Sequence, residues 1–183
     1  MGKRRIGQAT ATDHYEAWQQ FRDSFRSATP VDHSETVPER IRRMNRQQNE
    51  PEEWFKYYFP NYCTAPSAAF HRRATQRLLT HPEWYEVRAW SRELAKSARS
   101  MMEIIFLAMT GQVRNVLLVS NTQENAERLL LPFKACFEAN NRLINDYGRQ
   151  ERIGQWTASE FVIEKGCSFR ALGWGQSPRG TRK

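Results

Sequence analysis

Cysteine-pair motifs, long apolar runs and a signal-type leader are all missing from this chain, and each absence narrows what it can be. Its three cysteines, Cys63, Cys136 and Cys167, are odd in number, far apart and form no C-x-x-C pair. That usage fits a reducing cytosol and argues against both a disulfide framework and a zinc site. No apolar run approaches the length of a membrane span, since Ile104 to Met109 is bounded by Glu103 and Gln112. The opening MGKRRIG lacks the apolar core of a signal peptide. Gly2 is followed by Lys-Arg-Arg without a Ser or Thr at the place that myristoylation requires. Internal repeats are absent, and no acid follows Glu164.

What is present is basic and aromatic. A chain of 183 residues is long enough for one domain with a real core. Its net charge of +8 favours a polyanionic partner, nucleic acid first and an anionic membrane surface second.

The chain is organised around Tyr85 to Asn121, which reads as strand, tight loop, helix, strand. Tyr85 to Trp90 is short and rich in aromatic and β-branched residues, as a buried strand requires. Ser91 to Lys96 is polar. From Ser97 the residues Met101, Met102, Ile104, Ile105, Leu107 and Ala108 make a helix apolar on most sides, hence one packed between layers. Gly111 stands at its C-terminus. Arg114 to Ser120 holds a continuous Val-Leu-Leu-Val run, expected of a strand buried on both faces. A strand that feeds a helix through a loop ending in Lys-Ser is a place for a phosphate. Helix-start amides, the positive end of the helix dipole, an ammonium and a hydroxyl for Mg²⁺ converge there. The usual pattern, G-x-x-x-x-G-K-[ST], is broken by Trp90 and Ala95 at its two glycine positions, so on pattern alone a surface lysine at a helix start is the alternative.

Tyr15, Trp18, Phe21 and Phe25 recur at helical spacing and predict an amphipathic helix from about Asp13 to Arg26. After a loop marked by Asp32, Ser34 and Pro38, Arg40 to Gln48 predicts a basic helix. Residues 1–50 are thus a helical, partly flexible extension, either a solvated one or a docking arm. From Pro51 to Pro60 the aromatic density fits a core or its lid better than a base-stacking platform. Ser67 is the expected N-cap of a helix carrying Phe70, Ala74, Arg77 and Leu78, which ends near Thr80. Thr122 to Asn140 is a further helix, with Pro132 expected to kink or break it near Leu131. Asn141 to Ser159 reads as a loop. Phe161-Val-Ile and Ser168-Phe-Arg-Ala-Leu read as strands joined in a hairpin through Glu164-Lys-Gly-Cys. The Gly- and Arg-rich tail is either a phosphate contact or a frayed terminus.

Four ordered motifs, FHRRATQRLL, WSRELAKSARSM, RNVLLVSNTQENAERLL and SFRALGWGQSPRGTR, carry a resemblance to the large terminase subunit of tailed bacteriophages and prophages. The match covers roughly Trp54 to Arg182. It implies a P-loop NTPase fold, a parallel sheet flanked by helices, over residues 51–183. The implied function is that of the ATP-driven motor that packages double-stranded DNA into capsids. The family's phosphate loop lacks the first glycine and carries an Arg four residues before the Lys, as SRELAKS does. By resemblance, Ser91, Arg92, Glu93, Leu94, Ala95, Lys96 and Ser97 form the nucleotide loop. Lys96 would hold the β/γ-phosphates, Ser97 would ligand Mg²⁺, and Arg92 would reach the γ-phosphate as an arginine finger. Phe70 and His71 lie at the position of the adenine-recognition element. Ser120, Asn121 and Gln123, and in the tail Arg179 and Arg182, match motifs that touch DNA or relay nucleotide state.

The implied cofactors are ATP and Mg²⁺. The implied partners are DNA, the portal protein, the small terminase subunit and further copies of the motor, in the cytoplasm of an infected or lysogenic bacterium and away from any membrane. The family's apolar strand ending in two acids and its nuclease domain have no counterpart here. The chain is therefore expected to be the front part of the ATPase domain, with little turnover by itself. A helicase-like nucleic-acid-dependent ATPase and a non-catalytic basic nucleic-acid-binding module are the alternatives.

Overall fold

The computed structural model describes residues 11–176, which form a mixed α/β fold of seven helices and one four-stranded sheet. Helices α1 (Ala11–Ala28), α2 (Val37–Asn49), α3 (Pro51–Tyr58), α4 (Ala69–Thr80) and α5 (Lys96–Met109) precede the first strand, β1 (Asn115–Ser120). Then come α6 (Gln123–Ala139), α7 (Asn141–Tyr147), β2 (Glu151–Trp156), β3 (Glu160–Ile163) and β4 (Ser168–Gly173). The strand order is β1-β4-β3-β2. Only β1 and β4 run parallel, with Val116 opposite Phe169 and Leu118 opposite Ala171. The β3–β4 pair is the antiparallel hairpin expected from the sequence, with Phe161 opposite Phe169.

The core lies between α6 and one face of the sheet and continues beneath the helices. Phe133 and Phe137 of α6 meet Phe161 and Phe169, whose rings stack at 4.8 Å and 9°. Trp54, Phe55, Tyr58 and Phe59 of the aromatic stretch are fully buried, so that stretch is core. Residues 1–50 contribute to the same core through Phe25, which packs against Phe59. Trp18 and Trp156 both donate to the Glu138 carboxylate (2.8 and 2.6 Å), tying α1 and β2 to α6. Cys136 and Cys167 are buried and Cys63 half-buried. Burial pushes all three thiols up, Cys167 to about 12.

Several local expectations give way to tertiary structure. Tyr85 to Trp90 is not a strand, because among the described residues no strand pairs with it to take its backbone bonds; Tyr85 and Val87 are exposed. The sheet is mixed rather than parallel, because β2, β3 and β4 pair antiparallel. β1 is buried on one face only, since Leu117 and Val119 on the other face are exposed. Helix α6 runs unbroken past Pro132. The region from Asn141 to Ser159 is not a plain loop but holds α7 and β2. Asn140 starts that helix: its Oδ1 accepts from the Leu143 amide (3.0 Å) while its Nδ2 donates to the Tyr58 carbonyl (2.7 Å). Ser67 does not cap α4; its hydroxyl receives a hydrogen bond from Arg99 (3.2 Å), and Ala68 stands at the N-cap.

Candidate phosphate-binding loop

Helix α5 begins at Lys96, and the residue before it departs from ordinary backbone geometry. Ala95 has φ +52° and ψ +24°, and Glu93 two residues earlier has φ +67°. A left-handed conformation costs a residue with a Cβ about 1–2 kcal/mol, so it persists only where the surroundings impose it. Ala95 is also one of the two positions where the common phosphate-loop pattern requires glycine. The backbone therefore adopts at Ala95 the kind of conformation for which glycine is ordinarily chosen. Interleaving left-handed with right-handed residues turns successive amides toward one side, the geometry of an anion nest.

No side chain caps the start of α5, and its first backbone bond runs from the Arg99 amide to the Ala95 carbonyl at 2.8 Å. The amides of Lys96, Ser97 and Ala98 precede that bond and face the positive end of the helix dipole. Ser91 to Ser97 are all exposed. The side chains of Arg92, Lys96 and Ser97 have no hydrogen bond or ion pair with another described residue. This donor set fits a phosphate group. For Mg²⁺ it offers the Ser97 hydroxyl alone. No group of three or more His, Cys, Asp or Glu side chains able to hold a metal exists among the described residues. A Mg²⁺ ion there would depend on phosphate oxygens and water for its other ligands.

The structure brings Phe70 and His71 against this loop. Both lie in the first turn of α4, and Trp90 packs on them edge-on, 5.1 Å from Phe70 and 5.0 Å from His71. His71 Nδ1 accepts from the Ala68 amide (3.3 Å), which leaves the proton on Nε2; Nε2 then donates to the Leu94 carbonyl at 2.9 Å. His71 thus grips the loop backbone.

Sequence reasoning missed the ionic network behind the loop. Arg99 is buried and lies over the Phe55 ring at 4.6 Å. It pairs with Glu52, donates to Thr75 Oγ1 through Nε (2.9 Å) and Nη2 (2.6 Å), and stands 3.4 Å from Glu103. Burial pushes the Glu52 carboxyl up, but hydrogen bonds from Arg99 and Ser67 outweigh it and hold the carboxyl below its ordinary value. Glu103, also buried, accepts from the Thr75 hydroxyl and from Arg88 Nη1, the latter at 2.5 Å. The Arg99–Glu103 spacing of four is visible in the sequence as a helical pair; Glu52, Thr75 and Arg88 carry no signal that would place them there.

The second group of expected residues gathers at the carboxyl ends of the two parallel strands. Ser120 ends β1, and its carbonyl accepts from the Trp174 amide (2.8 Å). Asn121 Oδ1 accepts from Asn125 Nδ2 (2.8 Å), and Thr122 Oγ1 caps α6 by accepting from the Asn125 amide (3.2 Å). Gln123 Oε1 accepts from the Gly173 amide (3.0 Å). A Cβ on Gly173 would lie 2.6 Å from the Gln123 nitrogen, so the ends of β4 and α6 are in backbone contact. Arg179 and Arg182 lie outside the described residues.

No protein-family model, curated protein or solved structure matches this chain.

Proposed function

We propose that this chain is the ATP-binding part of a phage-type DNA-packaging motor, built on a P-loop NTPase fold. One observation carries the reading: Ala95, at a glycine position of the phosphate-loop pattern, holds a left-handed conformation immediately before an uncapped helix that opens with Lys96 and Ser97. ATP with Mg²⁺ would supply the phosphoryl group that is transferred to water. The α5 amides and the Lys96 ammonium would hold the β/γ-phosphates, and the Ser97 hydroxyl would be the protein's ligand to the metal. Arg92, four residues upstream and free to move, reaches the γ-phosphate and offsets the charge that grows there. Phe70, Trp90 and His71 set the loop's position on its adenine side. Ser120, Asn121 and Gln123, fastened to the end of β4, carry nucleotide state toward DNA.

The test is a calorimetric titration of the full chain with a slowly hydrolysed ATP analogue and Mg²⁺. Lys96→Ala is expected to weaken binding by at least about tenfold, since it removes a charge-assisted contact to phosphate. Equal affinity in the two proteins would overturn the reading.

A second reading, a basic nucleic-acid-binding module without nucleotide chemistry, has its own observation. Arg114, Arg152 and Arg170 line a concavity on the sheet face opposite α6. Two of them have weak partners only, Glu164 at 3.4 Å from Arg152 and Glu160 at 3.5 Å from Arg170. That module would bind DNA with the same affinity whether nucleotide is present or not, and with a steep loss as salt rises.

A further inference from the structure

We propose that Arg88 and Glu103 form a positioning pair that sets the loop from Trp90 to Lys96 onto the start of α5; the inference rests on the reading of that loop as a phosphate site. The segment before α5 belongs to no strand, so its place cannot come from a ladder of backbone hydrogen bonds. Two side chains, Arg88 and His71, supply the polar contacts that hold it to the rest of the described chain instead. At one end Arg88 Nη1 donates to Glu103 Oε2 (2.5 Å) and reaches Ser100 Oγ (3.4 Å), both on α5. At the other, His71 Nε2 donates to the Leu94 carbonyl (2.9 Å). Between them Trp90 is sandwiched, with the Arg88 guanidinium 5.2 Å from its ring centre and Phe70 and His71 on its other contacts.

Glu103 is a firm anchor because it is itself fixed. Its other oxygen accepts from Thr75, and Thr75 in turn accepts from Arg99, which is clamped by Glu52. A buried carboxylate held from three directions cannot follow a moving loop, so Arg88 must come to it. An arginine suits that role, because its planar fork gives direction to a contact where an ammonium would give only attraction. Neither residue touches the expected phosphate position. They act by placing Ala95 and Lys96, which is why a loop without the second glycine can still be held in left-handed geometry.

The experiment compares the full-length wild type with Arg88→Gln, Arg88→Lys, Lys96→Ala and Asp146→Asn. Three quantities are read: affinity for the Mg²⁺-ATP analogue, the rate of tryptic cleavage after Arg92 in the native state, and the melting temperature. Arg88→Gln keeps Glu103 bonded to Thr75 and Arg99, so the fold survives. It is expected to weaken nucleotide binding and to speed cleavage after Arg92, each by about tenfold, as misplacing a positioned group does. Arg88→Lys recovers part of both. Lys96→Ala abolishes binding but leaves the cleavage rate at Arg92 unchanged. Asp146→Asn lowers the melting temperature and moves neither of the other two, which separates positioning from general destabilisation.

If Lys96→Ala loses binding while Arg88→Gln matches wild type in affinity and cleavage, the positioning pair is wrong and the phosphate site stands. If Lys96→Ala binds as wild type does, the phosphate reading fails. Cleavage after Arg92 then decides the pair alone: unchanged cleavage in Arg88→Gln overturns it, and faster cleavage upholds it as an anchor of the loop.

Discussion

Two largely shielded ionic clusters in this molecule use nearly the same parts for different ends. In one, Arg43 lies between Glu35 and Asp146, over the Tyr57 ring at 4.1 Å, with the Tyr58 hydroxyl donating to Asp146 at 2.6 Å. In the other, Arg99 lies between Glu52 and Glu103, over the Phe55 ring, with the Thr75 hydroxyl donating to Glu103. Each is an arginine between two carboxylates, with an aromatic ring beneath it and one neutral hydroxyl to complete the carboxylate's bonding. Such clusters contribute little net stability against an apolar core, but they fix geometry, and losing one member is costly. The difference is what each one fixes. The first ties α2 to α7 and stays within the scaffold. The second takes one more arm, Arg88, which reaches in to Glu103 from the segment that ends in the Ser91–Ser97 loop.

The comparison is broken most sharply by truncating the central carboxylate of each cluster. Asp146 is fully shielded, and Asp146→Ala leaves Arg43 short of a partner and the Tyr58 hydroxyl without an acceptor. Glu103→Ala leaves Arg88, Arg99 and Thr75 in the same condition. Each is expected to cost about 3–5 kcal/mol in urea unfolding. The two should diverge at the loop, where only Glu103→Ala also weakens nucleotide binding beyond what its stability loss explains. Equal nucleotide affinity in both variants, at a temperature where both are folded, would show that the extra arm has no consequence.

A smaller effect sharpens the comparison through pH. The Glu52 carboxyl is lowered in the folded state, so its contribution to stability is present above the unfolded value of 4.5 and is lost as pH falls through the folded value. Urea midpoints of wild type and Glu52→Gln should therefore differ near neutrality and converge in that acid window. Asp32 and Glu39 are lowered by hydrogen bonds from Ser34 and Thr36 and remain in both proteins, so some acid sensitivity persists in the variant. The smallest expected change is at Ala95. Replacing a left-handed alanine by glycine relieves the Cβ clash and should raise stability by up to about 1 kcal/mol with nucleotide affinity retained. A loss of stability in Ala95→Gly would mean that the residue is not left-handed in solution.

Much of the fold was legible where the signal is local. The spacing of Tyr15, Trp18, Phe21 and Phe25, the Val-Leu-Leu-Val run, the apolar face of Ala126, Leu129, Leu130, Phe133 and Phe137, and the turn at Glu164 to Cys167 each specify an element from neighbouring residues alone, although Tyr15 and Leu129 are exposed. Tyr85 to Trp90 shows the limit. Its composition is that of a strand, yet a strand is a property of a pair, and no sequence signal says whether a partner will lie alongside. Helix α7 was overlooked because Arg142-Leu-Ile-Asn-Asp-Tyr is polar; the Asn140 cap was the available clue. Arg92, Lys96 and Ser97 stand close in sequence, so their place at one exposed helix start was legible. The ionic network behind that loop was not, since it joins Glu52, Thr75, Arg88 and Glu103 across four separate stretches of the chain.

The three free thiols also give the molecule a clock. A thiol must be both uncovered and ionised before it reacts; burial withholds both conditions at Cys136 and Cys167, and at half-buried Cys63 it disfavours ionisation. Cys63 sits at the helical edge beside Met102, Cys136 inside α6, and Cys167 at the turn into β4. In a native solution of a thiol reagent, the waiting times before each labels measure how often that part of the chain opens. Coincident times for Cys136 and Cys167 would mean that α6 and the sheet open together as one cooperative unit. Cys63, half-buried already, should label first and serves as the reference for the other two.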